Sequence, residues 1–342
     1  MRALRVHTVG PGVAVQDLGR TGFLAQGLTR GGAADLRAVA ENAALLDQGT
    51  DCAVLEMVGV GGVFEATETT RIALSGATMA ASIDGRAVAW DASHELPAGA
   101  RLELGAVRDG TYAYLGVGGG FATPLVMGAR ATHQSTGLGA LVQAGDVLPV
   151  GADTGGASGL CLPRDARFSG GTVRIVPSMQ TADFALEIRA RFEAATFRRD
   201  ARANRQGVRF DAGGAGFSNP EQLSVVSEVI VPGDIQIAGD GQPFVLLAES
   251  QTTGGYPRIG TVLPYDLPRV VQAPAGAELR FVFVTLEEGA EIEARARKEW
   301  AGLRKAATPL VRNPLEIQDL LNYRLIDGAI SAWDAPLDAG ED

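Results

Sequence analysis

Arg71-Ile72-Ala73-Leu74-Ser75-Gly76 is followed a few residues later by Ala80-Ala81-Ser82-Ile83-Asp84-Gly85-Arg86. Both are short apolar runs closed by turn residues, and Asp84-Gly85 is a two-residue hairpin signal, since both positions tolerate positive φ. Outward from this pair, strands are predicted at 101–104, 111–117, 173–176, 244–248 and 279–284, with turn residues between them. Such spacing suits barrels or sandwiches rather than alternating βαβ units. The 45 glycines and 16 prolines in 342 residues follow no period. They read as turns, not as collagen or a low-complexity linker.

Helical periodicity is scarcer. Leu36, Val39, Ala40, Ala43 and Leu46 fall near one face of a helix over 34–46, with Asp35 at its start. Phe184, Ile188 and Phe192 mark a second helix over 181–194. A Gly/Ala/Ser-rich break at 151–159 divides the chain, and the expected units are 1–155, 165–288 and a helical tail over 289–342. In the tail, Asn313-Pro314-Leu315-Glu316 reads as an N-cap, a first-turn proline and a capping-box glutamate. An apolar stripe from Ile317 to Ile326 follows it.

Composition excludes several functions. A net charge of −10 opposes a polyanion, so no nucleic-acid partner is expected, and the cluster Arg198, Arg199, Arg202 and Arg205 reads as a solvated face. No apolar run reaches the roughly 18 residues of a membrane span, and the N-terminus lacks a signal-peptide stretch. With Cys52 and Cys161 far apart, a cytoplasmic protein with free thiols is expected. Lys298 and Lys305 are the only lysines. Neither follows glycine, so a phosphate loop of the GxxxxGK type is absent. His7, His94 and His133 have no zinc-like spacing, and no metal is expected.

Two segments carry more polar equipment than their surroundings require. The first is Val15-Gln16-Asp17-Leu18-Gly19-Arg20 with Gly31-Gly32-Ala33-Ala34-Asp35. An amide, a carboxylate and a guanidinium among glycines can orient a planar polar ligand. The alternative is a loop in which Asp17 and Arg20 pair with each other. The second is Glu249-Ser250-Gln251-Thr252-Thr253-Gly254-Gly255-Tyr256-Pro257-Arg258. It reads either as a hairpin with Gly254-Gly255 at its tip or as a binding loop whose adjacent glycines present N–H groups to an anion. The two segments are expected to converge on one ligand surface.

These segments resemble the allophanate hydrolase subunit 2 (KipA) family, which includes the C subunit of bacterial 5-oxoprolinase, the KipI antagonist and part of the carboxyltransferase domain of urea carboxylase. The resemblance runs through Gly10-Pro11-Gly12, 15–20, 31–35, Ala53-Val54-Leu55-Glu56, Gly145-Asp146-Val147-Leu148 and 204–209. It is clearest at Val231-Pro232-Gly233-Asp234-Ile235-Gln236, Asp240-Gly241-Gln242-Pro243 and 251–257. Glu249-Ser250 stand where relatives often carry Asp and Arg.

The resemblance implies a mainly β chain of two cyclophilin-like β-barrel domains. It also implies a partner B subunit of the sister (allophanate hydrolase subunit 1 / KipI) family and an A subunit of the LamB/YcsF family. The implied activity is ATP-dependent opening of the lactam of 5-oxoproline to glutamate, with ATP used at the level of the complex. In that reading Asp17, Arg20, Arg205 and Arg209 are the catalytic candidates. Gln16, Gly31, Gly32, Gln251, Thr252, Thr253, Gly254, Gly255 and Tyr256 are the substrate-binding candidates. Two alternatives keep the fold: carboxyl transfer to a urea-like acceptor, with biotin carried by another protein, and a non-enzymatic regulatory binding subunit.

Overall fold

The structure, a computed structural model, describes residues 2–214, 216–218 and 226–311. The first part of the chain contains β1 (Ala3–Val9), β2 (Ala14–Gln16), α1 (Leu36–Leu46), β3 (Val54–Val58), β4 (Val60–Ala66), β5 (Thr70–Ile83), β6 (Arg86–Ala87), β7 (Ala92–Leu96), β8 (Arg101–Val117), β9 (Val147–Pro149) and β10 (Leu160–Cys161). The second contains β11 (Gly171–Val176), α2 (Leu186–Ala194), β12 (Phe197–Asn204), β13 (Gly207–Asp211), β14 (Glu228–Val229), β15 (Asp234–Ile237), β16 (Pro243–Leu246), β17 (Thr253–Gly254), β18 (Arg258–Val262), α3 (Leu267–Gln272) and β19 (Glu278–Phe283). After it come α4 (Leu286–Ala306) and β20 (Thr308–Pro309).

The chain is mainly β, as expected. Among the described residues the first part, joined by β20 from beyond the second, forms an eleven-stranded sheet along β20-β10-β7-β5-β8-β4-β1-β9, with β3 joining β2 to β8 and β6 added to β5. The second part closes into a barrel, β11-β18-β15-β16-β13-β12-β19. Its β11–β19 pair is parallel and its other described pairings are antiparallel.

The Asp84-Gly85 hairpin forms, with both residues at positive φ and Ser82 facing Ala87. The two runs predicted before it are, however, one strand, β5, and the runs at 101–104 and 111–117 are likewise one strand, β8. The β5–β8 register slips between Gly76 and Thr78 and again before Ala81. Gly76 sits at φ +74, and a Cβ there would lie 2.5 Å from the Tyr112 carbonyl oxygen. A bulge bends the strand here without ending it.

Asp35 caps α1, its carboxylate accepting the Ala38 N–H at 3.0 Å. The helix predicted over 181–194 is split: a 3-10 turn covers Thr181–Asp183 and α2 starts at Leu186. The barrel is filled by Phe192, Phe197, Phe210, Phe217 and Phe281, whose stacked and edge-on contacts run from 4.8 to 5.6 Å between ring centroids. A Thr285–Glu288 capping box starts α4, whose Leu303 packs with Leu45, Leu46 and Leu162 of the first part. The tail's Asn313 cap and apolar stripe lie outside the described residues. No described helix is long and apolar enough to cross a membrane.

Candidate functional site

Beyond β2 the chain crosses its own 30–34 segment. The Arg20 N–H donates to the Arg30 carbonyl at 2.7 Å, and the Ala33 N–H donates to the Asp17 carbonyl at 2.8 Å. Only glycine fits this crossing at Gly32: φ is +82, and a Cβ would meet Gly19 N, the Asp17 oxygen and the Leu18 carbonyl carbon at 2.7–2.8 Å.

The expected alternative of an Asp17–Arg20 pair is not what forms. Asp17 accepts the N–H groups of Gly19 (2.8 Å) and Arg130 (2.6 Å). Arg20 donates from Nε to the Val126 carbonyl at 2.9 Å and from Nη2 to the Ala131 carbonyl at 2.5 Å. The nearby loop over 126–131 supplies enough acceptors to outcompete the local carboxylate. Arg20 is only 2% exposed, and its Nη1 has no partner among the described residues. Burial lowers its pKa, with Asp17 and Glu249 opposing. Gln16, fully buried, donates to the Thr132 carbonyl at 3.0 Å, while its Oε1 has no described partner.

Arg205 is tied across the two parts of the chain. Its Nε donates to Glu249 at 2.5 Å, Nη1 to Glu56 and Nη2 to the Gly32 carbonyl. Glu56, on β3, also accepts the Ala34 N–H and the Tyr114 hydroxyl, each at 2.8 Å. Burial by itself raises the Glu249 carboxyl, but Arg205 and the Ser135 N–H pull harder and leave it below its ordinary value. The same carboxylates lift the Arg205 guanidinium above its ordinary value in spite of burial. Next to them His133 is 1% exposed, its Nε2 3.1 Å from Thr29 Oγ1 and its Nδ1 within reach of Ser135 and Thr136 hydroxyls. Burial lowers its pKa more than Glu249 raises it, so the imidazole is neutral at pH 7.

Each nitrogen of the Arg205 guanidinium thus has a partner. Arg209 lies elsewhere on the barrel, bonded to Asp240 and 3.7 Å from Asp200. Sequence reading singles out neither Glu56 nor His133 as a site residue, and it has Glu249 only at the head of the second polar segment and as a departure from relatives. Their grouping depends on contacts far apart in sequence, which no local spacing reports.

The 249–258 segment is not a hairpin. β16 and β18 do not pair with each other; β15 runs between them, and Thr253–Gly254 pair instead with Val229 and Glu228. Neither Gly254 nor Gly255 has positive φ, so no anion nest of alternating hand forms there.

Two cavities flank this region. One of about 460 Å³ is walled by Arg20, Thr29, Gly31, Leu36, Leu247 and Pro268, among mostly apolar neighbours. Gln251 and Tyr256 line a second, of about 260 Å³, in which Ser250 and Gln236 also take part. Ile230 belongs to both walls. The two polar segments therefore border neighbouring cavities, while Arg205 is bonded to the Gly32 carbonyl and the backbone of 17–20 is bonded to that of 30–33.

Comparison with known proteins agrees with this architecture. Residues 26–283 match the family model described as carboxyltransferase domain, subdomain A and B. The chain is 31% identical to the C subunit of 5-oxoprolinase from Escherichia coli over 293 residues, covering 83% of this chain and 92% of that relative. Urea amidolyase of Saccharomyces cerevisiae is 23% identical over 85% of this chain and 17% of its own. Among solved structures, TTHA0988 superposes with a TM-score of 0.73 at 29% identity, over 82% of this chain and 55% of that one, so this chain spans about half its length. The Kluyveromyces lactis urea amidolyase structure superposes over 91% of this chain and 21% of its own, with a TM-score of 0.79 at 21% identity, a likeness of fold. On the extent of these matches, this chain belongs to the carboxyltransferase domain, subdomain A and B family.

Proposed function

We propose that this chain is one subunit of a 5-oxoprolinase complex, which opens the lactam of 5-oxoproline to glutamate at the expense of ATP and is inactive without its B- and A-type partners. Kinship to relatives named as the C subunit of 5-oxoprolinase supports the reaction. The observation that carries the chemical role is the partnerless, buried Nη1 of Arg20, a residue that lines the larger cavity. An amide is a poor electrophile; ATP, as co-substrate, would transfer its γ-phosphoryl group to the lactam oxygen with ADP leaving, after which water adds to the activated carbon, the ring C–N bond breaks and phosphate departs to give glutamate. A buried cation beside the transferred phosphoryl group offsets the negative charge it carries, where low dielectric strengthens the effect.

Within this reading Arg20 is the charge-stabilising residue and Asp17 fixes the loop that presents it. Arg205, with a partner at each nitrogen, holds the two parts of the chain together, and Arg209 braces the barrel surface. Gln251 and Tyr256 line the second cavity, and Thr252, Thr253, Gly254 and Gly255 are the chain between them. The test combines the chain with its B- and A-type partners, 5-oxoproline and ATP. Glutamate release that needs all the components supports the proposal; no glutamate from the complete mixture rejects it.

A second reading, carboxyl transfer between biotin and a urea-like acceptor, is favoured by the family's description and the urea amidolyase relative. Lys298 and Lys305 both lie on α4 and neither lines a described cavity, so the biotin would arrive on another protein. ATP-independent carboxylation of urea from carboxybiotin would select it.

A further inference from the structure

Adding water to an activated lactam and breaking its C–N bond moves a proton twice: off the water as it attacks, and onto the nitrogen as it leaves. Among the described residues, the titratable side chains in the wall of the larger cavity are Arg20 and Arg30 alone. A guanidinium does not give up its proton in a protein. The proton must therefore be held one layer behind the wall.

His133 occupies that layer. It is 1% exposed and packs against two wall residues, Thr29 and Gly31. Its Nε2 lies 3.1 Å from the Thr29 hydroxyl, and a Cβ on Gly31 would come within 2.9 Å of the ring carbon Cδ2. The opposite edge of the ring faces an exposed loop, with Nδ1 3.2 Å from the Ser135 hydroxyl and 3.1 Å from that of Thr136. Thr136 Oγ1 donates to the His133 carbonyl at 3.4 Å, so toward Nδ1 it acts as an acceptor. Glu249 Oε2, 3.8 Å from Nδ1, favours a proton on the same nitrogen. The network thus assigns the proton of the neutral ring to Nδ1 and leaves Nε2 to accept from Thr29. Burial, Arg20 and Arg205 oppose a second proton on the ring, while Glu249 supports it. A ring so placed takes a proton and readily returns it.

We propose that His133, acting through the Thr29 hydroxyl, takes a proton from the water that attacks the activated lactam carbon and returns it to the ring nitrogen as the C–N bond breaks. The proposal rests on the 5-oxoprolinase reading for its reaction. As a lone pair of the water forms the new C–O bond, the water's proton passes to Thr29 Oγ1 and the Thr29 proton passes to Nε2. When the C–N bond breaks, its electron pair stays on nitrogen, which takes the proton back by the same route. The protein ends the cycle with the protons it started with. His133 touches no substrate; it is a positioning residue for the proton.

The complete complex is assayed with 5-oxoproline and ATP, carrying His133→Gln, Thr29→Val or Thr29→Ser in this chain. His133→Gln and Thr29→Val should each lower kcat by about 10²-fold. KM for 5-oxoproline should stay within about threefold of the native value, Thr29→Ser should restore kcat to within about threefold, and the His133→Gln/Thr29→Val double variant should be no slower than the worse single one. Native kcat should fall with pH below the ordinary histidine value of about 6.5, as the imidazole becomes charged, and His133→Gln should abolish that limb. In the chain alone, long-range 1H–15N NMR should show His133 neutral at pH 7 with its proton on Nδ1. A proton on Nε2, native-like kcat in His133→Gln, or an acid limb that survives the substitution overturns the proposal and leaves the proposed function standing. A Thr29→Ser variant as slow as Thr29→Val overturns it too, since a structural role for the threonine would then suffice. Absence of glutamate from the complete native mixture rejects the proposed function, and the proton route with it.

Discussion

Replacing Arg205 with methionine keeps the aliphatic stem and removes the guanidinium that Glu249, Glu56 and the Gly32 carbonyl share. Both carboxylates are 2% exposed, so neither can turn to water for compensation. Removing one partner of a buried ion pair costs about 3–5 kcal/mol. In a chain of this size each kcal/mol is worth roughly 2 °C, so Tm should fall by about 6–10 °C. The pH dependence adds an independent check. In the native protein the Glu249 carboxyl is held below its ordinary value, so the stability it contributes is present above about pH 4.3 and lost as pH falls through the lowered value. In the variant, burial without the guanidinium raises that carboxyl instead. The penalty is then full at neutral pH and fades as the group takes up a proton, so the Tm gap should narrow between about pH 8 and pH 5. Adding Glu249→Gln removes one stranded charge and should recover part of the loss. Differential scanning fluorimetry across pH measures all three. A Tm within about 2 °C of the native protein at neutral pH, or a gap independent of pH, would refute the view of Arg205 as a buried clamp.

Gly32→Ala places a Cβ against three backbone atoms at a φ that alanine disfavours; the expected cost is about 2–4 kcal/mol, read as a lowered denaturant midpoint with unchanged slope. Asp153 is held at about 2, mainly by the hydrogen-bonded Arg71 guanidinium, whose Nη2 and Nε lie 2.5 and 3.0 Å away. Asp153→Asn should therefore cost about 1 kcal/mol at neutral pH, a figure discounted for partial exposure, and the difference should persist above about pH 4 and shrink as pH falls toward 2. If the proposed function holds, Arg20→Gln should lower kcat of the reconstituted complex by about 10²-fold or more, since in that reading it removes a donor to developing charge. An unchanged kcat would remove Arg20 from the chemistry.

What can be read from residues alone follows the range of the interactions concerned. The Asp84-Gly85 turn and the Asp35 cap depend on neighbours within three or four residues, and both form as read. Gly76 and Gly110 read as strand ends, because a glycine at a bulge and a glycine in a turn look the same until the opposite strand is known. In the protein each of them sits inside a long strand, at φ +74 and +93. The hairpin alternative at Gly254-Gly255 fails for a related reason: β15 is not among the predicted strands, so nothing suggests that it comes between β16 and β18.

The site divides in the same way. The crossing of 17–20 with 30–34 is visible as glycines beside polar residues, because the backbones there approach within 2.7–2.8 Å. The Arg205 clamp is not, since its partners lie 44 and 149 residues away. The two are nonetheless mechanically one. Arg205 donates to the carbonyl of Gly32, the residue whose missing side chain permits the crossing that delivers Arg20 to the cavity. A change at Arg205 should therefore reach Arg20 through the backbone of Gly32, and a loss of activity in Arg205→Met accompanied by normal assembly of the complex would be the sign of that coupling.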